Sequence, residues 1–409
     1  MCRFIHVAFL TLCFLFPNSR AAESQVLTLR NISKLVHEQN PDLLAARLRI
    51  KEAEARLEQS GRLSNPELEG SIQQDPDFRQ NMIQVGFLQK FPVTQRLQWE
   101  KKLSANAFKA AQIEQLQVER ELVLQAKQAV IELLALRQRR ELLTGQIQSA
   151  QELAEHLKSA AEKGELSKLD AALAKLESAS LSIEIRNLDA SEAAKHGELK
   201  SLLGMSADRL ISVSGDLPKA DFSKQLGEAA PRPDVQIAAL RVDAAEQEIQ
   251  LQKTLRYDDV EAGILASSQR QLDEPNGYGS TGFIGISLRI PLPLWNTNKG
   301  NIKAAQLAHE RTQVEAAALQ REISIKAQAE QNQMREWAAL VAEFDETLLP
   351  LAKQQSEVTS AAYQQSQIEI QAVFRAREKH RQLCLSRLDA LREFHLALLR
   401  YTAASGAKL

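Results

Sequence analysis

The sequence predicts a mostly α chain with a small β part, laid out as two tandem helix–β-hairpin–helix–helix repeats. Three observations carry this reading. The first is composition: of 409 residues, 25% are charged and only 5% aromatic, and Ala, Gln, Glu, Leu, Lys and Arg dominate, the usage of long helices and coiled coils. The second is proline spacing. None falls between Pro92 and Pro218, and only Pro350 follows Pro293; proline is costly inside helices, so these gaps permit very long ones. The third is an internal echo. In TGFIGISLRIPLPLWNTNKG, residues 281–300, the apolar residues Ile284, Ile286, Leu288 and Ile290 alternate with Phe283, Gly285, Ser287 and Arg289, the period of a two-faced strand. QVGFLQKFP at 84–92 repeats it: Val85 matches Ile284, Gly86 matches Gly285, Lys90 matches Arg289 and Pro92 matches Pro291. Two such strands, each followed by a long helical pattern, imply a repeat.

In chain order, residues 1–21 read as a cleavable secretory leader. Arg3 is its charged start, residues 7–16 its apolar run, and Ser19 and Ala21 its small residues before the cut. Cleavage leaves Cys384 as the sole cysteine, so no intrachain disulfide is expected. The first repeat is expected over 22–204. It opens with a helix over 28–63, interrupted at Asn40-Pro41-Asp42. Strands follow at about 67–74, where Leu68, Gly70 and Ile72 alternate with polar residues, and 82–91. A helix over 99–163 carries a narrow seam of Leu116, Val123, Ala126, Val130 and Leu133, spaced as in a coiled coil. Gly164 closes it, and a return helix over 167–203 has Leu169, Leu173, Leu176 and Ile183 as its stripe. Residues 205–230 read as a linker.

The second repeat, 231–409, starts at Pro233-Asp234, matching Pro41-Asp42. Its strands are expected at about 259–268 and 281–291, joined by a Gly-rich loop over 273–282. Long helices follow over 301–365 and 368–401. Pro350 has no counterpart near Gln148, so a kink or irregular turn is expected near 346–350.

Net charge is −1, which leaves no basic excess for nucleic acid. Four strands of about ten residues have the length and alternation of membrane strands, but they cannot close a barrel wide enough to carry anything. Left open in lipid, their edges would be untenable. Three copies would supply a twelve-stranded barrel, continued by the long helices as an α-helical tube.

PLPLWNTNKG at 291–300, Leu202-Leu203-Gly204, Leu348-Leu349-Pro350 followed by Ala362-Tyr363, and the turn Gly164-Glu165-Leu166-Ser167 together resemble the TolC family of outer-membrane efflux ducts, in its CzcC-like cation-efflux branch. The resemblance spans the whole mature chain. It implies a homotrimer in the outer membrane of a Gram-negative bacterium, extending into the periplasm. The implied partners are a periplasmic adaptor (membrane fusion) protein and an inner-membrane RND-type transporter, with heavy-metal cations among the implied exports. The second turn departs from the family pattern, reading Ser366-Gln367-Ile368-Glu369. The alternatives are a secreted or periplasmic coiled-coil structural protein and the periplasmic adaptor itself, though no compact Gly-rich β-domain of an adaptor is found.

Candidate sites follow from this layout. Gly164, Glu165, Leu166 and Ser167, with Ser366, Gln367 and Ile368, form two helix–helix turns expected to dock the adaptor. Leu166 and Ile368 are expected as exposed apolar tips. Glu162, Tyr363 and Glu369 are candidates for a periplasmic gate, where acids would favour cations. Lys90, Ser287 and Arg289 are expected to face the barrel lumen, since a charge on the lipid face would cost about 2–4 kcal/mol at mid-depth. His380 and Cys384, four apart on a helix, are weak metal candidates without a third ligand. The other histidines are scattered. No catalytic constellation, cofactor loop or paired-carboxylate motif stands out, so neither an enzyme nor a cofactor is expected.

Overall fold

The computed structural model describes residues 25–164, 167–221, 231–273, 275–365 and 367–408; the leader at 1–21 and part of the 205–230 linker lie outside them. The first half comprises β1 (Gln25–Leu27), α1 (Ile32–Gln39), α2 (Pro41–Gln59), β2 (Glu67–Gln74), β3 (Gln80–Phe91), α3 (Arg96–Glu162) and α4 (Lys168–Leu202). After β4 (Ile211–Val213) come α5 (Pro233–Thr254), β5 (Val260–Asp273), β6 (Gly277–Arg289), α6 (Lys299–Glu343), a π turn (Phe344–Leu348), α7 (Leu349–Gln364) and α8 (Ile370–Ser405).

The 67 residues of α3 would span about 100 Å at 1.5 Å per residue. It packs against α4 and α8, while α6 and α7 pack along α8. The main core lies at mid-height, where Val123, Val130 and Leu134 of α3 meet Leu27, Ile32, Val36, Leu199, Phe344 and Leu391. Two further clusters run down the helices, one around Leu143, Leu181 and Leu188, the other around Leu157, Ala174 and Val373. No helix among the described residues is long and apolar enough to cross a membrane.

The break at Asn40 is a built joint. Its Oδ1 accepts from the N–H groups of Asp42 and Leu43 at 2.8 and 3.1 Å, capping α2, and its Nδ2 donates to the Leu202 carbonyl at 2.6 Å. That bond ties the end of α4 to the start of α2. Gly204 sits against the same joint with φ +61°; a Cβ there would lie 2.8 Å from the Gln39 carbonyl oxygen and from Pro41. The second half solves the same problem with a different residue. Arg232, just before α5, donates to the Ala404 carbonyl at the end of α8 at 2.9 Å and pairs with Asp234 at 2.6 Å.

The irregular turn expected at Pro350 is the π turn over Phe344–Leu348, just upstream of it. Proline removes one N–H and its ring clashes with the carbonyl four residues back; widening the preceding turn relieves that clash. Three expectations are corrected. The seam on α3 holds for Val123, Ala126, Val130 and Leu133, which are buried, but Leu116 is half exposed. On α4, Leu169, Leu176 and Ile183 are 62%, 67% and 60% exposed, and the residues facing α3 are instead Ala174, Leu181, Leu188 and Leu199. A stripe read from one helix gives an apolar face but not the body it packs against. The Gly-rich stretch 273–282 is mostly ladder rather than loop, because β5 and β6 stay paired up to Asp273 and Gly277; Gly279 and Gly282 occupy strand positions, where small residues are tolerated away from the core. The short parallel pair β1–β4 has no sequence signature, since three residues are too few to show a period.

Candidate functional site

The four long strands form one antiparallel sheet in the order β2-β3-β5-β6. Its register sorts side chains into two faces. One carries Leu68, Ile72, Ile83, Val85, Phe87, Phe91, Ile264, Ala266, Ile284, Ile286 and Leu288, with Ile284 and Ile286 86% and 87% exposed. From Ile83 to Phe91 this band, apolar but for Gln89, runs about 27 Å along the strand at 3.4 Å per residue. Tyr278, with Arg270 stacked 4.5 Å from its ring, lies at the turn end of the band. The opposite face carries Gln84, Gly86, Leu88, Lys90, Glu261, Gly263, Leu265, Ser267, Gly285, Ser287 and Arg289. Such alternation between an apolar and a polar or small face is the pattern of a sheet set between lipid and water.

Lys90, Ser287 and Arg289 therefore share the second face, and the sheet brings acids to the two bases. Lys90 pairs with Glu67 at 2.7 Å, and Arg289 with Glu261 at 3.0 Å. Lys90 directly opposes Glu261, which directly opposes Arg289. Charges thus alternate in sign across all four strands at the end nearest the helices. Arg96 at the start of α3 adds a bond of 2.6 Å to Asp259, just before β5. Sequence reasoning singled out the bases and missed Glu67 and Glu261. Strand parity was the available signal, because Glu261 shares it with Arg289.

Near the sheet, asparagines tie α5 to its neighbouring helices. Asn298, at φ +55° just before α6, donates to the Gln252 carbonyl of α5 at 2.7 Å. Asn106 of α3, 7% exposed, donates to the Leu240 carbonyl of α5 at 3.1 Å.

At the far end, α3 ends at Gly164 with φ +77°, and Ser167 caps α4 by accepting from the Leu169 N–H at 3.1 Å. Glu165, Leu166 and Ser366 lie outside the described residues. Gln367 and Glu369 are exposed, as is Glu162. Ile368 is corrected: it is half-buried against the cluster of Leu157, Ala174, Ile370 and Val373, because the second turn folds back onto α3 and α4. Tyr363 packs against the same cluster, and burial, helped by the charge of Asp170, pushes its phenol above the ordinary value. His156, Asp170, Tyr363, Ile368 and Glu369 line one recess at this tip. Asp170 and His156 had no sequence signal, since each comes from a helix face that only packing defines.

His380 and Cys384 meet at 3.7 Å. Among the described residues no cluster of three or more His, Cys, Asp or Glu side chains could hold a metal ion.

This geometry has relatives. The sequence model of the outer membrane efflux protein family matches residues 32–205 and 228–325. The cobalt-zinc-cadmium resistance protein CzcC of Cupriavidus metallidurans is 21% identical over 422 residues, covering 97% of this chain and 94% of that protein. The outer membrane channel CmeC of Campylobacter jejuni superposes with a TM-score of 0.75 at 14% identity, over 92% of this chain and 85% of CmeC. The outer membrane protein VceC of Vibrio cholerae gives 0.73 at 17% identity, over 93% and 96% of the two chains. At such identities the two structures speak for the fold.

Proposed function

The chain belongs to the outer membrane efflux protein family, and from that premise we propose that it is the outer-membrane duct of a tripartite efflux system, working as a homotrimer. The open sheet carries this reading. A four-stranded sheet with one apolar face and two free edges, β2 and β6, cannot stand in lipid until its edges are paired. Three copies pair them all and give a twelve-stranded barrel. The helices then form a tube reaching through the periplasm. Exposed apolar residues at heptad spacing on α4 (Leu169, Leu176, Ile183) and on α7 (Leu351, Val358) supply the helical seam between copies.

Residues 1–21 act as the leader, and residues 22–204 and 231–409 as the two repeats joined by 205–230. Lys90, Ser287 and Arg289 line the lumen. Gly164, Glu165, Leu166 and Ser167, with Ser366, Gln367 and Ile368, meet a periplasmic adaptor, which in turn joins an inner-membrane RND-type pump. Glu162, Tyr363 and Glu369 border the periplasmic mouth, and Asp170 belongs with them. A mouth rich in acids favours cations, and the CzcC relative is a cobalt-zinc-cadmium resistance protein; both point to heavy-metal cations as cargo.

The lipid-face register tests the duct. Ile286→Arg places a charge in hydrocarbon and is expected to abolish the heat-modifiable outer-membrane oligomer. Ser287→Arg, one residue on, is expected to assemble normally. Equal assembly defects in the two would overturn the reading. Docking is tested by Leu166→Asp: the trimer should insert while crosslinking from position 165 to the adaptor, and efflux, are lost.

A further inference from the structure

The apolar face of the sheet ends in a polar row. Across the four strands the register sets Leu68, Phe87, Ile264 and Ile286 side by side. Six residues further from the helices along β3, the same face carries Gln74, Asn81, Arg270 and Ser280. In the next row Tyr278 opposes Leu272, and the Leu272 N–H donates to the Arg79 carbonyl at 2.9 Å, which extends the ladder to Arg79. Arg79 and Arg270 are thus diagonal neighbours, about 7–8 Å apart. Both are exposed, as is Tyr278, on whose ring Arg270 stacks at 4.5 Å. Among the described residues neither arginine is paired with an acid, whereas Lys90 and Arg289 on the other face each have one. We propose that Arg79 and Arg270, with Tyr278 beside them, hold the phosphate of a lipid headgroup in the outer leaflet of the membrane. The proposal rests on the duct reading above and adds a lipid partner to the barrel.

Curvature, depth and chemistry agree on this occupant. On β5, Ile264, Ala266, Ser268 and Arg270 are exposed, while Gly263, Leu265, Ser267 and Gln269 between them are buried or half-buried. The sheet is therefore convex on the face of Arg270, as a barrel is towards lipid. Asn81 lies ten residues from Phe91 on β3, about 34 Å along the strand. At a tilt of about 40° this is about 26 Å across the membrane, against an apolar band about 25 Å tall in such barrels. Arg270, opposite Asn81, then stands where hydrocarbon gives way to headgroups, and a charge there costs far less than at mid-depth. The helices leave from the other end of the sheet, so this end faces outwards. A tyrosine suits that boundary, with an apolar ring and a wet hydroxyl. Two guanidiniums without acids suit a phosphate, which each can grip through paired N–H donors. Asn81 and Ser280, on either side of Arg270, add neutral donors. The nearby acid Asp75 does not share this face: its N–H donates to the Gln80 carbonyl at 2.9 Å, which sets it opposite Gln80 on the other side of the sheet. Asp77 lies at the tip of the turn, beyond the ladder.

The test titrates the purified trimer, in detergent micelles containing phosphatidylcholine, with lipid A, a phosphorylated outer-leaflet glycolipid. Native mass spectrometry reads the bound lipid. Arg79→Gln with Arg270→Gln is expected to weaken binding about tenfold or more. Arg321→Gln, on an exposed base of α6, should leave it unchanged. Lipid A stripped of its phosphates should bind the parent no better than intact lipid A binds the double variant, and inorganic phosphate should not displace the lipid. If the parent and the double variant bind lipid A alike, or the parent binds intact and stripped lipid A alike, the site is overturned and the duct stands. If inorganic phosphate displaces lipid A at similar concentration, the arginines hold a free anion and the lipid partner is wrong. Should the double variant not assemble, the comparison of intact with stripped lipid A on the parent decides. A parent chain that forms no heat-modifiable oligomer overturns the duct reading, and the lipid site with it.

Discussion

Leu88 and Gly263 sit directly opposite each other on β3 and β5, and the glycine is empty because the leucine fills its place. A Cβ on Gly263 would lie 2.3 Å from Leu88 Cδ2, 2.8 Å from the Phe87 carbonyl oxygen and 2.9 Å from Ser287 Oγ. Two residues along, the pair is reversed: Leu265 lies over Gly86, where a Cβ would lie 2.5 Å from Leu265 Cδ2 and 3.8 Å from the next atom, the Ile264 carbonyl oxygen. The two leucines thus cross over two glycines and fill the middle of the face that carries Lys90 and Arg289.

The two glycines should respond differently to substitution. At Gly86 only the flexible end of Leu265 must move, whereas at Gly263 a backbone oxygen stands in the way. Gly263→Ala is expected to cost about 1–3 kcal/mol as overpacking and to lower the temperature at which the oligomer dissociates. Gly86→Ala should lower it less. Equal shifts would mean the crossing of leucines does not control the fit.

The stripe on α4 should behave as an interface. Leu176 is 67% exposed in one copy, with Leu169 and Ile183 seven residues to either side. Full burial of a leucine is worth about 1.5–3 kcal/mol, and the trimer repeats it three times. Leu176→Asp is expected to leave each chain folded but shift the protein from trimer to monomer. Val358→Asp on α7 should do the same, and Lys175→Asp, on the exposed neighbour of Leu176, should not. Trimer content by size-exclusion chromatography with light scattering decides it.

Asn40 should be among the most sensitive polar positions. It is 4% exposed and satisfies two helix N–H groups and one carbonyl. Asn40→Ala removes a cap worth about 1 kcal/mol and takes the donor from the half-buried Leu202 carbonyl, at up to about 1–3 kcal/mol more. Asn40→Asp keeps the cap but sets a carboxylate against that carbonyl. Both are expected to lower thermal stability, and Asn40→Asp should not recover the parent value. Full recovery would show that only the cap matters.

Much of this architecture was legible in the sequence because it depends on local pattern. Strand parity at Ile284, Ile286 and Leu288, the proline gaps, and the Gly164 and Ser167 turn signals each act within a few residues. Pro350 announced an irregular turn for the same reason, and the π turn at Phe344–Leu348 is its form. What was not legible depends on pairing between distant segments. Which face of α4 meets α3, which acids face Lys90 and Arg289, and how Ile368 folds onto Leu157 are decided by packing. The parity of Glu261 was available; its nearness to Arg289 needed the register.

Glu177 gives the helical tube a measurable pH dependence. It lines a cavity of about 230 Å³ between α3, α4 and α8 with Leu181, Phe374, Glu378 and Arg381. Burial is the main cause that pushes its carboxyl above the ordinary value; the charges of Glu378 and Glu184 add to this, and Arg381 opposes it. Arg381 is already committed, bonding Glu184 at 2.7 Å and pairing with Glu378. A folded state that holds the proton more tightly than the unfolded chain gains stability at low pH, in full below the ordinary carboxylate value. It loses that gain as pH rises through the raised value. Glu177→Gln removes the charged form altogether. The variant is expected to be more heat-resistant than the parent on the alkaline side and similar to it on the acid side, so that its stability changes less between the two. Oligomer dissociation temperature measured across pH for both proteins checks this. Parallel curves would mean that Glu177 does not hold its proton in the folded tube.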